Sequence, residues 1–511
     1  MELWMRLIKK SPQEEVYVDP NLDPVLLVPG IAGSILKAVD EKTGREERVW
    51  VRILGADREF RTKLGSFFDP STGQTVSIDS NSNWKIEVPD DRFGLYAIDV
   101  LDPDLVLGRD SVYYFHDMIV EMLQWGFKEG ETLFGFGYDF RQSNRFQGTL
   151  DRLAEKLEAV YTASGGRKVN IISHSMGGLL VKCFMSLHSD LFEKYVKDWI
   201  AIAAPFRGAP GYVTSALLNG VSFVGGWQQN FFVSKWSMHQ LLIECPSMYE
   251  LMACPDFNWE NPPLLQVWRK KLAHDLANLE SYLPGEAPTI FTEALACNKV
   301  SCCGLNIPLP FNVDILNWAN ETRKVLNSAK VPEGVKFYNI YGTNLDTPHS
   351  VCYGNPNSPV SDLSRLPVRF LPNYVYVNGD GTVPAESAMA DGLNAVARIG
   401  IPAGEHRGIL CNRHVFRILK HWLKADHDPY YNPTHDFVIL PTHFELDQEH
   451  EQGMKVASSV RRDEWEIVAE DTQEREENHD DTSDAKQLHQ AGSISVTYVR
   501  ENLESFGKLK V

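Results

Sequence analysis

The sequence lacks any long hydrophobic run. No window approaches the ~18 apolar residues of a membrane-spanning helix, so no transmembrane segment is expected. The first fifteen residues, MELWMRLIKKSPQEE, begin with Glu2 and hold no apolar stretch of signal-peptide length. The expected location is therefore cytoplasmic, with peripheral contact to a membrane surface. Excess positive charge is also absent. The formal net charge is −18, which argues against nucleic acid as a partner. Eleven Asp or Glu against two Arg between Arg462 and Asp484 give −9, half of that total. Cysteine is scarce, eight in 511 residues and none in a Cys-x-x-Cys pair. Free thiols are expected, with neither a disulfide framework nor a thiolate metal site. No cofactor or metal is expected, and the oligomeric state is left open.

What is present is globular. Hydrophobic residues make up 43% of the chain, enough for a large domain with insertions or for two domains. Short apolar runs alternate with amphipathic stretches. PVLLVP at 24–29 reads as a buried strand closed by Gly30, and ETLFGFGY at 131–138 as a second strand. LDRLAEKLEAVY at 150–161 reads as an amphipathic helix that stops at Ser-Gly-Gly, and KVNIISHS follows as a strand. GGLLVKCFMSLH reads as a helix and WIAIAAP as a strand. The alternation predicts an α/β fold with a mostly parallel sheet. It is lost between 206 and about 335. It resumes with KFYNIYG, NYVYVN and the helix NRHVFRILKHWL. The expected organisation is a core over 22–205 and 336–440. An insertion at 40–110 is a candidate membrane-contact subdomain, and a cap or lid covers 206–335. The acidic tail 445–511 is expected to be mostly disordered, apart from a short strand near 493–499.

The stretch Ser173-His174-Ser175-Met176-Gly177 lies where a strand passes directly into a helix. A nucleophile elbow has that context, and it needs small residues two before and two after the serine. Ser173 and Gly177 are small, although glycine is usual at the first position. A serine nucleophile needs a base, and the base needs an orienting acid. Gly379-Asp380-Gly381 follows NYVYVN and presents Asp380 past a strand end. Asp346 is a rival after KFYNIYG, but it sits in an ordinary Pro-containing turn. Gly404-Glu405-His406-Arg407-Gly408 places His406 in a loop before the final helix, whereas His414 and His421 fall within that helix. Ser175, Asp380 and His406 are thus the expected nucleophile, acid and base. The loop Pro29-Gly30-Ile31-Ala32-Gly33 is suited to supply an oxyanion donor. The expected donors are the amides of Met176 and Ala32, with Ile31 as the fallback.

LLVPGIAGS, FGYDFR, HSMGG, AAPFRGAP, YGTNLDTP, GDGTVP and GEHRGIL occur in that order over about residues 22–425. Together they resemble the lecithin:cholesterol acyltransferase family, and within it the plant lecithin:cholesterol acyltransferase-like phospholipases A. The resemblance implies an α/β-hydrolase fold with a cap and a metal-independent attack on glycerophospholipid acyl esters. It places the family's nucleophile, acid and base on Ser175, Asp380 and His406, and its oxyanion loop on residues 29–33. The expected activity is phospholipase A, with transfer of the acyl group to a sterol or other lipid alcohol as the alternative. Asp139 and Arg141 match a family motif too, and their chemistry reads as a buried structural ion pair. The expected partner is a phospholipid bilayer or micelle. Trp227, Phe231, Phe232 and Trp236, beside the Gly225-Gly226 pair, are the candidate lid and interface residues.

Overall fold

Four consecutive apolar residues, Val25–Val28, form strand β1 and are fully buried. In this computed structural model residues 17–51, 63–77, 83–105, 109–220, 235–270, 277–302, 305–425 and 494–495 are described. Beyond β1 the chain builds a small antiparallel sheet from β2 (Leu36–Asp40), β3 (Glu46–Trp50) and β6 (Trp84–Glu87). Between them lies the hairpin β4 (Ser66–Asp69) and β5 (Gln74–Ser77). The 40–110 stretch therefore contains the short strands β3 to β6.

Helix α1 (His116–Gln124), β7 (Leu133–Gly135) and helix α2 (Gln147–Ala163) restore the alternation. The chain leaves α2 through Gly165 and Gly166, both at positive φ, which is the helix stop that Ser-Gly-Gly signalled. Strand β8 (Val169–His174), helix α3 (Gly177–Leu187) and strand β9 (Val196–Ile202) follow. After a long excursion come β14 (Lys336–Thr343) and β17 (Ala397–Pro402), then helix α6 (Arg413–Trp422). The central sheet runs β7-β1-β8-β9-β14-β17, and every neighbouring pair is parallel. Two residues, Ile494–Ser495 (β18), pair in parallel with Ala397 and Arg398 at its edge. Parallel strands covered on both faces tend to near-continuous apolar runs rather than alternation, which explains Ile171-Ile172 in β8 and the run 199–202 in β9.

The excursion holds helix α4 (Pro210–Asn219), strands β10 (Leu265–Lys270) and β11 (Ala277–Tyr282), and a small hairpin, β12 (Lys299–Cys302) with β13 (Leu305–Pro308). It ends in helix α5 (Val313–Ser328), which packs on α3 behind the central sheet. One expectation needs correction here. NYVYVN forms β16 (Asn373–Gly379), but β16 is not a central strand. The chain leaves β14 at Asn344, whose φ is 65°, and enters β15 (Leu345–Tyr353). β15 and β16 join β10 and β11 in a second, four-stranded sheet of order β11-β10-β15-β16. A β-rich string carries no record of which sheet it joins. The left-handed residue at 344 redirected the chain.

No helix among the described residues is long and apolar enough to cross a membrane. Six described cysteines, at 183, 245, 254, 297, 352 and 411, are free thiols. Asp139 and Arg141 form a part-buried ion pair, with Arg141 the buried partner. Arg141 Nη2 donates to Asp139 Oδ2 at 2.6 Å and Nη1 to the Leu64 carbonyl at 3.0 Å. The pair anchors the turn after β7 to the neighbouring insertion.

Candidate active site

β1 has β7 on one side and β8 on the other, although β7 follows it in sequence. The connection leaving β1 goes to β7 on one side and the connection leaving β8 goes to β9 on the other, so a crevice opens at the carboxyl ends of β1 and β8, the place where α/β sheets collect ligands. Ser175 stands there. It follows β8 and precedes α3, with φ at 53°, in the left-handed region. That conformation costs an ordinary residue about 1–2 kcal/mol. The Ser175 amide is tied to the Ile202 carbonyl at 2.8 Å, so neighbouring β9 holds the elbow in place.

The elbow needs close backbone approach. A Cβ at Gly177 would stand 2.4 Å from the Pro29 carbonyl oxygen, and one at Gly30 would stand 2.6 Å from Ser175 Cβ. Glycine at both positions lets loop 29–33 lie against the serine. Ser173 takes the place where glycine is usual because its hydroxyl is used. Trp199 Nε1–H donates to Ser173 Oγ at 2.9 Å inside the sheet.

His406 follows β17 in the loop ahead of α6. Its Nε2 lies 3.0 Å from Ser175 Oγ, and its Nδ1 lies 2.7 Å from Asp380 Oδ2. The structure thus brings together three residues drawn from positions 175, 380 and 406. Asp380 sits just beyond β16. Its Oδ1 accepts from the amides of Thr382 at 2.8 Å and Val383 at 2.7 Å, leaving Oδ2 for the imidazole. Burial alone would lower the His406 pKa, but the adjacent Asp380 carboxylate outweighs it and holds the imidazole above its ordinary value. The rival Asp346 is exposed on β15, and His414 and His421 lie on α6, half-exposed.

The oxyanion loop is bound firmly. Ala32 has φ at 62°, and its carbonyl accepts the Trp50 indole N–H at 2.8 Å. Among the described residues, no hydrogen bond is made by the amides of Ile31, Ala32 or Met176. Met176 precedes the first turn of α3, where amide hydrogens lack helical partners. These amides are therefore available to a ligand. Trp227, Phe231 and Phe232 lie outside the described residues, and the Trp236 side chain does too. No group of three or more His, Cys, Asp or Glu among the described residues is placed to hold a metal ion.

Sequence reasoning missed the residues behind this front. Tyr114 Oη lies 2.6 Å from His174 Nδ1, and His174 Nε2 lies 2.8 Å from the His406 carbonyl oxygen. His174 is visible as the residue before Ser175, but nothing local signals that Tyr114 meets it.

Comparison with known proteins fits this geometry. The family model for lecithin:cholesterol acyltransferase matches residues 63–278. Lecithin-cholesterol acyltransferase-like 4 of Arabidopsis thaliana is 65% identical over 468 residues, covering 90% of this chain and 86% of that protein. The chain belongs to the lecithin:cholesterol acyltransferase family. A second Arabidopsis thaliana member, phospholipase A(1) LCAT3, is 52% identical over 410 residues, or 79% of this chain and 91% of that protein. A distant member is the Homo sapiens lysosomal phospholipase A and acyltransferase, 23% identical over 64% of this chain and 69% of that one. Among solved structures, the Tle4–Tli4 complex aligns with a TM-score of 0.46 and 14% identity, over 79% of this chain and 98% of that one. The parallel sheet with a serine elbow at its switch point is the α/β-hydrolase arrangement of this family.

Proposed function

We propose that the protein is a phospholipase A that hydrolyses a fatty-acyl ester of glycerophospholipids such as phosphatidylcholine. The observation that carries this reading is the run of contacts from Ser175 Oγ to His406 Nε2 at 3.0 Å and from His406 Nδ1 to Asp380 Oδ2 at 2.7 Å. The phospholipid substrate class is supported by the 52% identity to a phospholipase A(1).

Ser175 Oγ attacks the ester carbonyl as His406 Nε2 takes its proton. Asp380 holds the imidazole with Nδ1–H toward itself and stabilises the imidazolium. The amides of Met176 and Ala32, or Ile31 in place of Ala32, receive the negative oxygen of the tetrahedral intermediate. Losing one such donor typically costs about 3 kcal/mol of transition-state stabilisation. The intermediate collapses, His406 gives its proton to the departing lysophospholipid oxygen, and an acyl-Ser175 ester remains. Water then attacks that ester and loses a proton to His406. Collapse releases the fatty acid and returns the proton to Ser175 Oγ. A lipid alcohol in place of that water gives acyl transfer, the activity named for the human relative.

The working partner is a phospholipid bilayer or micelle approached from the cytoplasmic side. Support comes from the segment that leads to the acid. Val368, Leu371, Val375 and Tyr376 are each more than half exposed, with exposed Arg365 and Arg369 among them. Apolar side chains mixed with cations suit acyl chains below and phosphates above. The test is product analysis on phosphatidylcholine carrying two distinguishable acyl chains, with and without an acceptor alcohol. A lysophospholipid with one free fatty acid is expected. An acyl-alcohol as the main product would establish the transfer reading instead, and no cleavage at all would refute both.

A further inference from the structure

Behind the Ser175–His406 contact runs a second chain of hydrogen bonds. The Gly30 amide donates to Tyr114 Oη at 2.7 Å. With that oxygen already accepting, the Tyr114 proton is directed to His174 Nδ1, 2.6 Å away. His174 Nε2 lies 2.8 Å from the His406 main-chain oxygen. A carbonyl only accepts, so Nε2 must carry the ring proton. All three bonds are satisfied in one tautomer alone, the neutral ring with hydrogen on Nε2. Burial, with His406 nearby, holds the His174 pKa well below its ordinary value and keeps the ring neutral.

The chain joins three separate parts of the site. Gly30 lies in the oxyanion loop. His174 is the residue before Ser175, so its backbone and the nucleophile's move together. The His406 amide, for its part, donates to the Asp380 main-chain oxygen at 2.9 Å. A second clamp runs beside the first, from Arg407 Nη2 to the Tyr113 carbonyl at 2.7 Å. Tyr114 and His174 are both buried, and water does not replace these partners cheaply.

We propose that Tyr114 and His174 are positioning residues: a single-tautomer relay that fixes the oxyanion loop and the main chain of His406 at the distance the Ser175 reaction requires. The proposal rests on Ser175 and His406 being nucleophile and base. Without the Tyr114 hydroxyl, the Gly30 amide and His174 Nδ1 lose their partners. His174 is then free to move its proton to Nδ1, which turns a lone pair toward the His406 carbonyl. Small displacements of reacting groups are costly, with about 10²-fold in rate lost for 1 Å.

The test uses the full chain with Tyr114→Phe, His174→Phe and His174→Gln, and Ser175→Ala as control. Turnover is measured on phosphatidylcholine vesicles and on a soluble p-nitrophenyl acyl ester, alongside melting temperature. Tyr114→Phe keeps the ring and removes only the hydroxyl. It is expected to lower kcat about 10- to 100-fold on both substrates with KM unchanged. Glutamine offers an acceptor and a donor on one amide, so His174→Gln is expected to recover at least about tenfold in kcat over His174→Phe. A kcat for Tyr114→Phe within about twofold of wild type would overturn the proposal, as would equal kcat in the two His174 variants. If Tyr114→Phe does not fold, the His174 pair decides. Retained turnover in Ser175→Ala would instead refute the underlying assignment of the nucleophile, a result distinct from either.

Discussion

Trp199 donates its indole N–H to the hydroxyl of Ser173, two residues before Ser175, at 2.9 Å. Both residues are fully buried. The hydroxyl at 173 therefore serves the sheet, and the elbow tolerates it because it is small. Ser173→Gly is expected to keep its activity per folded molecule while losing about 1–3 kcal/mol of stability, since the indole N–H is left without a partner. Urea denaturation checks this. An unchanged midpoint would contradict it.

On the proposed mechanism, the pH profile of kcat/KM reports His406. The base works only when neutral, and the Asp380 carboxylate holds its pKa above the ordinary imidazole value of about 6.5. The acid limb of the profile is therefore expected above that pH. In Asp380→Asn the main raising charge is gone, and only Glu405 is left to oppose burial and Arg407, so the limb of the residual activity moves to lower pH. The rate itself falls on the order of 10⁴-fold. A limb that stays in place would separate Asp380 from His406.

Glu244 supplies a second titration, in stability. Its carboxylate accepts from the Phe68 amide at 3.0 Å and from Asn312 Nδ2 at 3.2 Å, but burial dominates and pushes its pKa up to about 7. An unfolded glutamate titrates near 4.3. Between those values the folded chain holds a proton that the unfolded chain lacks. Stability from this group is thus fully present below about pH 4.3 and is lost as the pH rises through about 7. Glu244→Gln is expected to flatten that loss. Its melting temperature relative to wild type should be higher at pH 8 than at pH 5, and the reverse order would contradict the assignment.

How much of this was legible follows from where each signal lies. Ser175, Asp380 and His406 each stand in a short glycine-rich turn after an apolar run, so fold and chemistry mark the same positions. The central sheet could be read because parallel strands covered on both faces carry apolar runs, as at Ile171-Ile172 in β8 and residues 199–202 in β9. The second sheet could not. β10 and β15 pair across more than eighty residues of sequence, and a strand's composition does not name its neighbour. The left-handed conformations of Ala32 and Asn344 were hidden as well, because neither residue is glycine. Tyr114 and His174 are sixty residues apart, and only the folded chain puts a hydroxyl against that imidazole.

Interface binding separates from catalysis. Replacing Val368, Leu371 and Tyr376 together by Ser removes apolar side chains from the exposed segment ahead of Asp380. Co-sedimentation with phosphatidylcholine vesicles is expected to fall about tenfold or more, at roughly 0.8 kcal/mol per buried methylene. Hydrolysis of a soluble p-nitrophenyl ester should stay near wild type. Equal losses in both assays would mean that the segment supports the fold rather than the lipid surface.

Active-site labelling by a fluorophosphonate, combined with phosphatidylcholine turnover, tests the central assignment most directly. The wild-type chain should gain one phosphonyl group, mapped to Ser175, and lose its release of lysophospholipid and fatty acid in step with labelling. Ser175→Ala should fold, take no label and lose on the order of 10⁶-fold in kcat. Labelling at another residue, or comparable turnover by the folded Ser175→Ala protein, would contradict the account.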